Sequence, residues 1–204
     1  MRTLGSAIAK RDSDTDAHNY RVTLYAVRLA QALRQPKDEI AALIAGAFLH
    51  DVGKIGIPDG ILLNPGKLSA AEFETIKTHV SIGVDIVGES KWLAQSLDVV
   101  AFHHEKYNGT GYLRGLTGKA IPFNARLFAI VDVFDALTSR RPYKPALPPA
   151  EVTRILGEGR GAHFDPDILD VFAPLAPELL REYAALEESQ LKTCLAEFEG
   201  RYFS

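Results

Sequence analysis

The sequence predicts an all-α protein, and two observations support that prediction. Apolar residues recur at helical spacing in most segments of the chain, as Val22, Tyr25, Ala26, Leu29 and Leu33 do. No run shows the two-residue period of a strand, and there is no internal repeat or low-complexity linker. With 204 residues, of which 47% are apolar, the chain is long enough for one domain with a sizeable core.

The first three helices are predicted from apolar periodicity and from helix start signals. The stripe that begins at Val22 forms the first helix, and the proline of "RQPKDE" suits the first turn of a second. Glycine and proline in "LHDVGKIGIPDGILLNPG" end that helix in a long loop. Ser69 and Glu72 then form a capping-box signature, which predicts a third helix through "EFETIKTHVSIGVDIV" with His79 on it.

Two further helices are expected around a glycine-rich segment. A fourth helix from about Trp92 carries His103 and His104 near its C-terminal end. The segment "NGTGYLRGLTGKAIP" is too rich in glycine for a helix and predicts a loop or a short hairpin. The next segment, "FNARLFAIVDVFDALTSR", is apolar almost all round, which predicts a helix through the core with Asp132 inside it.

The C-terminal part is predicted to be helical as well. A short helix is expected in "AEVTRILGEG", and another begins with Asp165 as N-cap and Pro166 at the first helical position. From Pro177 onward the apolar spacing predicts one long amphipathic helix. We therefore expect a principal domain over residues 1–174 and, over 175–204, a helix that packs on that domain or on a dimer partner.

Composition narrows the classes of function. A single cysteine, Cys194, excludes an internal disulfide framework and a site built from several thiolates. The chain has no apolar run long enough to span a bilayer and no signal-peptide core, which predicts a cytoplasmic protein that does not insert into a membrane. A net charge of -3 gives no general basic surface for a nucleic acid polymer, and it favours a small anionic ligand met by a few Lys and Arg side chains.

Seven ionisable residues stand in apolar helical contexts, where an isolated one would be costly to bury. They are His18, His50, Asp51, His79, His103, His104 and Asp132. A lone pair such as His50 and Asp51 is more often a helix cap or a hydrogen-bonded core histidine. The whole set comes from several different helices or helix ends, as expected if the helices surround one buried metal centre. Imidazoles and carboxylates without thiolates suit iron, manganese or zinc, and a carboxylate can bridge two ions.

Two more ionisable residues, Asp14 and His163, stand outside this set. Asp14 lies four residues before His18, so both side chains share a face if the helix extends that far. It either contributes to an additional metal or caps the helix, and spacing alone leaves both roles open. His163, in "GRGAHFDP", fits no ligand position and is expected to be structural.

The order of these segments resembles a known family. The segments "HNYRV", "LHDVGKIGIPDGILLNPGKLS", "IKTHVSIG", "FHHEKYNGTGYLRGL", "ARLFAIVDVFDALTSRRPYKPAL" and "HFDPDILDVF" together are similar to the HD-GYP subgroup of the HD-domain metal-dependent phosphohydrolases. The resemblance runs from about Arg11 to Phe172. It implies a helical bundle that hydrolyses the bacterial second messenger cyclic di-GMP to linear pGpG or onward to GMP, with two or three iron or manganese ions.

The resemblance also implies roles for individual residues. The metal ligands of the family fall on the seven residues collected above, and Asp51 would bridge two ions that hold the attacking hydroxide. Lys54 would hold a phosphate and is a candidate for protonating the leaving oxygen. Arg141 and Lys144 match phosphate-contacting positions, and Tyr112 matches the tyrosine of the name motif, so all three are expected to bind substrate.

Three positions depart from the family pattern. Leu113 stands where the name motif has proline, which frees a backbone dihedral in that loop, and Asn108 stands where aspartate is usual. Both changes bear on substrate discrimination and partner binding. Asp14 replaces a glutamate that completes a third metal site, so the number of ions and the second cleavage depend on it.

Other functions remain open at this point. The same site would serve another cyclic dinucleotide such as 3′,3′-cGAMP, or a mononucleotide. A degenerate, non-catalytic module that binds a nucleotide or a partner such as a diguanylate cyclase is a different class, and the full ligand set argues against it. Family members usually carry a sensor or receiver domain in front, so we expect either a free-standing enzyme or a part of a longer chain. The C-terminal helix either closes the bundle or pairs with a second copy, and we favour a homodimer.

Overall fold

The computed structural model describes residues 16–91, 93–140 and 145–203 of the chain. Across these ranges the secondary structure is helical, with short 3-10 turns and two isolated β-bridges but no strand. The predicted all-α fold is confirmed. Within the same ranges, no helix has both the length and the apolar character needed to cross a membrane.

The first two helices lie where the sequence predicts them. Helix α1 spans Asp16–Ala32, and α2 spans Lys37–Leu49 directly after Pro36. The loop that follows contains a 3-10 turn at Val52–Gly56 and a short helix α3 at Asp59–Leu62.

The third predicted helix is in fact two helices. Helix α4 spans Ala70–Lys77 and α5 spans His79–Gly88. The capping box is present, since the Ser69 hydroxyl accepts from the Glu72 N–H while the Glu72 carboxylate accepts from the Ser69 N–H. The apolar pattern continues across the break between α4 and α5, which is why periodicity alone joined them. As a result, His79 lies at the first residue of α5.

The segment that delivers the histidine pair is shorter than predicted. A 3-10 turn at Ala94–Ser96 leads into helix α6, Leu97–Phe102, while Trp92 lies outside the described residues. The glycine-rich segment forms a loop, in which Asn108 and Thr117 make an isolated antiparallel bridge. Helix α7, Phe123–Thr138, follows as predicted.

Three helices complete the fold. They are α8 at Pro149–Glu158, α9 at Pro166–Tyr183 and α10 at Glu188–Tyr202. The predicted N-cap of α9 is present, since the Asp165 carboxylate accepts from the Asp167 N–H. The single tail helix expected from Pro177 is wrong: that proline lies inside α9, and a turn separates α9 from α10.

The main core lies where α1 packs against α2, α7 and α10. Leu24 of α1, Leu43 of α2, Phe128 of α7 and Leu191 of α10 are fully buried in one apolar cluster. Because α1 and α2 are held on several sides, the ends of these helices are rigid supports for polar side chains.

Candidate metal centre

The fold brings all seven predicted ligands into two adjacent groups. Asp51, His79, His103 and His104 form the first, called here the Asp51 group. His18, His50 and Asp132 form the second, called here the His18 group. Within each group the potential ligand atoms all lie within 4.8 Å of one another. The two groups together are called the metal centre below.

Asp51 lies between the two groups. Its Oδ2 atom is 3.1 Å from Nε2 of His50, a member of the His18 group. Its Oδ1 atom faces the other way, 3.4 Å from Nε2 of His79 and 4.0 Å from Nε2 of His103. The two oxygens of one carboxylate therefore face different groups, which is the placement that a bridging ligand requires.

Glycine at position 53 makes this convergence possible. A Cβ atom there would lie 1.8 Å from the carbonyl oxygen of His79. Because only a residue without a side chain fits, the 3-10 turn after Asp51 packs directly on the first turn of α5. This contact brings the segment that carries Asp51 against the segment that carries His79.

Backbone carbonyls orient three of the imidazoles. Nδ1 of His50 donates to the Ala47 carbonyl at 2.8 Å, and Nδ1 of His79 donates to the Ile76 carbonyl at 2.7 Å. Nδ1 of His103 donates in the same way to the carbonyls of the last turn of α6. In each ring Nε2 is left for the centre, as in metal-binding histidines whose second nitrogen is fixed by a hydrogen bond.

His18 is oriented by a carboxylate that sequence reasoning missed. Nδ1 of His18 lies 2.8 Å from Oδ2 of Asp135, and Nε2 of His18 lies 3.6 Å from Oδ1 of Asp132. Arg21 donates from Nε to the other oxygen of Asp135 at 2.6 Å. Burial alone would raise the pKa of Asp135, but His18 and Arg21 hold it well below its usual range. The sequence did offer a signal for Asp135, because it is an acidic residue three positions after Asp132 in an apolar helix, and residues at that spacing share a helix face.

Most imidazoles of the centre are held in the neutral form that binds metals. Burial lowers the pKa of His79, and burial with the neighbouring His104 ring lowers the pKa of His103. Burial and the ring of His79 bring the pKa of His104 to about 3. For His50, burial works in the same direction, but the carboxylate of Asp51 outweighs it and raises the pKa to about 9. A metal that binds at His50 must therefore displace a proton.

Lys54 lies at the edge of the centre. Its Nζ atom is 2.7 Å from Oδ2 of Asp51, and its side chain is 16% exposed. Burial would raise the pKa of Asp51, but Lys54 and His50 hold it well below its usual range, so Asp51 remains a carboxylate. A partly exposed ammonium beside the centre can meet an anionic ligand that enters from solvent.

Tyr112 borders the centre on another side. Its ring stacks on His104, with centroids 4.7 Å apart and an interplanar angle of 27°. The loop that holds it is fastened by Glu105, which sequence reasoning also missed. The buried Glu105 carboxylate accepts from the backbone N–H groups of Arg114 at 2.7 Å and Gly115 at 3.1 Å. The loop that carries Tyr112 is therefore held by hydrogen bonds to a buried carboxylate.

The two atypical residues of this loop have different environments. The side-chain oxygen of Asn108 accepts from the backbone N–H and the hydroxyl of Thr110, which closes a tight turn. Leu113 is 48% exposed beside Tyr112. Asn108 thus stabilises the loop, while Leu113 contributes to its outer surface.

The remaining predicted residues are placed as follows. Asp14, Arg141 and Lys144 lie outside the described residues. His163 belongs to neither group, and its ring stacks on Phe164 with centroids 4.4 Å apart. The donors of the centre are imidazole nitrogens and carboxylate oxygens, a set that fits divalent metal ions.

Comparison with known proteins shows which family the chain belongs to. A protein-family model described as "HD domain" matches residues 2–168. The chain belongs to the HD domain family. Its relatives support membership of the HD-GYP subgroup, which confirms the resemblance found in the sequence. An HD domain with these two His/Asp groups is suited to binding divalent metal ions.

Individual relatives give the similarity a scale. A Vibrio cholerae protein named cyclic di-GMP phosphodiesterase is 43% identical over 183 residues, which cover 82% of this HD domain chain and 37% of that protein. A protein of the same organism named 3'3'-cGAMP-specific phosphodiesterase 2 is 37% identical, and the match covers 91% of this chain and 36% of that protein. A solved HDG"Y"P protein from Bdellovibrio bacteriovorus superposes with a TM-score of 0.64 at 24% identity, covering 79% of this chain and 53% of that one. The chain thus spans little more than a third of the two curated relatives.

Proposed function

We propose that this HD domain is a metal-dependent phosphodiesterase that hydrolyses cyclic di-GMP to the linear dinucleotide pGpG. The observation that carries the proposal is the position of Asp51, with one oxygen toward each of two groups of metal donors. The name of the relative with 43% identity supports the choice of substrate.

The site is proposed to hold two divalent ions, most favourably iron and alternatively manganese. The Asp51 group would hold one ion and the His18 group the other, with Asp51 shared. Imidazole-rich sites with carboxylates and no thiolate suit both metals. When bound, such ions supply Lewis-acid stabilisation of phosphate charge and an activated water nucleophile.

The chain's own residues would place the substrate and move its protons. The ammonium of Lys54 would bind a phosphate oxygen and is a candidate proton donor to the leaving oxygen. Burial raises the pKa of Tyr112, so its hydroxyl keeps its proton and would donate a hydrogen bond. Arg141 and Lys144 are predicted from the sequence to contact phosphate as well.

The extent of hydrolysis depends on a residue outside the described ranges. If Asp14 completes a third metal site, a second cleavage from pGpG to GMP becomes available. If it caps the helix, the reaction ends at pGpG. This choice remains a prediction from the sequence.

A second candidate substrate is 3′,3′-cGAMP. A relative with 37% identity is named for that activity, and Leu113 and Asn108 change the loop next to Tyr112. This hypothesis keeps the same metal centre and changes only which cyclic dinucleotide the surrounding residues bind.

Metal analysis of anaerobically purified protein, followed by incubation with each dinucleotide, tests these proposals. We expect about two ions per chain, loss of cyclic di-GMP and formation of pGpG, separated by chromatography. A His50→Gln variant should lose metal and activity, whereas His163→Gln, outside both groups, should keep them. Intact cyclic di-GMP at full metal loading, beside an active control enzyme, would contradict the main proposal, and faster loss of 3′,3′-cGAMP would favour the second.

The regulatory partners, the oligomeric state and the cellular location remain predictions from the sequence. They include a diguanylate cyclase, a sensor or receiver domain, a second copy of the chain and a cytoplasmic location.

A further inference from the structure

An aromatic column leads outward from the metal centre. It begins with the ring of His104 and continues with Tyr112, which stacks on it. Phe73 of α4 is the next ring, set edge to face against Tyr112 with centroids 6.2 Å apart. A metal donor is thereby connected through two further rings to the protein surface.

Phe73 ends this column with much of its ring in solvent. Its side chain is 45% exposed, although a phenylalanine on a helix can bury most of its surface. A single exposed apolar residue needs no explanation. Phe73 differs because its ring touches the loop of the proposed substrate site, so the exposed surface adjoins the metal centre.

Lys77 adds a cation to the same surface. It lies one helical turn after Phe73 on α4, and its Nζ atom is 5.2 Å from the Phe73 centroid and 5.5 Å from the Tyr112 centroid. It also pairs with Glu74, whose side chain is 68% exposed. Exposed ion pairs contribute little stability, so Lys77 can exchange this partner for a ligand at small cost.

We propose that Phe73 and Lys77 bind one guanine base of the substrate, an inference that rests on the proposed cyclic di-GMP activity. The exposed ring of Phe73 offers the base a stacking surface, while the phosphates lie at the metal centre beside Lys54. The ammonium of Lys77 donates to O6 and N7 of guanine. Adenine presents an amino donor in place of O6, so the same lysine disfavours it.

The stacking role is tested with Phe73→Ala, Phe73→Trp and, as a matched control, Phe203→Ala. Phe203 is 44% exposed and lies beyond α10, so its replacement by alanine removes a similar amount of exposed aromatic surface. We expect Phe73→Ala to raise KM for cyclic di-GMP about tenfold, with a smaller fall in kcat. Phe73→Trp should keep KM within about threefold of the wild-type value, because an indole ring also stacks on a base. Equal KM values for wild type and Phe73→Ala would overturn the proposal.

The base-reading role is tested with Lys77→Met, which keeps an apolar stem against the rings and removes the charge. The ratio of kcat/KM for cyclic di-GMP over cyclic di-AMP should fall about tenfold. Lys192→Met, at an exposed position of α10, is the control and should leave the ratio unchanged. An unchanged ratio in Lys77→Met would exclude this lysine from base recognition.

A binding measurement separates this inference from the proposed activity. A linear dinucleotide with 2-aminopurine in place of guanine loses fluorescence when the base stacks on an aromatic ring. Quenching by wild type and by Phe203→Ala, but not by Phe73→Ala, supports the stacking surface even if wild type cleaves no cyclic dinucleotide. Hydrolysis by wild type with the same quenching in Phe73→Ala would leave the proposed function standing and overturn the base site.

Discussion

The metal centre and the turn around His163 both remove histidines from water, yet only the metal centre has the arrangement of a metal site. Burial and the charge of Lys106 bring the pKa of His163 to about 4, and its ring lies flat on Phe164. In the metal centre, Nε2 of His79 and Nε2 of His103 lie 3.4 Å apart and face a carboxylate.

This difference shows that burial and a lowered pKa do not by themselves place a histidine among candidate metal donors. The metal centre adds two things: carboxylates that lie among the rings, and a fixed partner for Nδ1 that directs Nε2 inward. His163 stacks on a ring instead and has no place in either ligand group. The following variants test how much each added feature contributes to metal binding.

The largest effect is expected for Asp51→Asn. The amide cannot serve as a charged ligand to both groups, so both ions should be lost together and hydrolysis should fall by more than about 100-fold. Elemental analysis of the purified variant gives the metal content. Asp85→Asn, at an exposed position on the same helix as His79, is the control and should behave as wild type. Retention of two ions by Asp51→Asn would refute the bridging role.

A smaller and one-sided effect is expected for Asp135→Asn. The change removes the charged partner of His18 while the donors of the Asp51 group remain, so metal affinity of the His18 group should fall by roughly 10- to 100-fold. A metal titration of stripped protein should then show one tight and one weakened step.

Folding must be separated from metal binding in this variant, because the ion pair between Arg21 and Asp135 is also lost. Denaturant unfolding of the metal-free proteins supplies that control. Equal weakening of both steps would contradict the assignment of Asp135 to a single group.

The smallest effect on metal binding is expected for His163→Gln, with less than about a twofold change in affinity. Its effect should appear in stability as a function of pH. The pKa of His163 is about 4 in the folded protein and about 6.5 in the unfolded chain. Between these two pH values the unfolded chain therefore binds more protons at this residue than the folded protein does. Stability from this residue is complete above pH 6.5 and is lost as the pH falls toward 4.

The size of that loss is up to about 2 kcal/mol, less than the full shift would give, because the ring is partly exposed. Urea unfolding of wild type and His163→Gln at several pH values measures the difference between them. Parallel curves between pH 6.5 and 4 would show that His163 does not contribute.

The candidate metal donors could be proposed from the sequence because each one carries its own signal. His50, His79 and Asp132 are ionisable residues inside apolar helical segments, and such residues are rare unless they are paired or bound to a metal. The order of the motifs along the chain then matched a known family.

The supporting residues could not be assigned in the same way. Asp135 acts on His18, which is 117 positions away in the chain, and Glu105 acts on backbone N–H groups of the loop that follows it. Neither partner can be recognised before the helices are packed. The breaks after α4 and α9 were missed for a related reason, since apolar periodicity persists across a short turn and does not report where the backbone bends.

Gly53 has a consequence for how the protein tolerates change. The contact between the 3-10 turn and the first turn of α5 is made by backbone atoms, so no side chain in it can be repacked to absorb an added group. Apolar substitutions elsewhere in the core alter how firmly the bundle holds together, whereas one extra methyl group at position 53 moves Asp51 relative to His79. The lack of a side chain at this single position therefore sets the distance between the segment that carries Asp51 and the segment that carries His79.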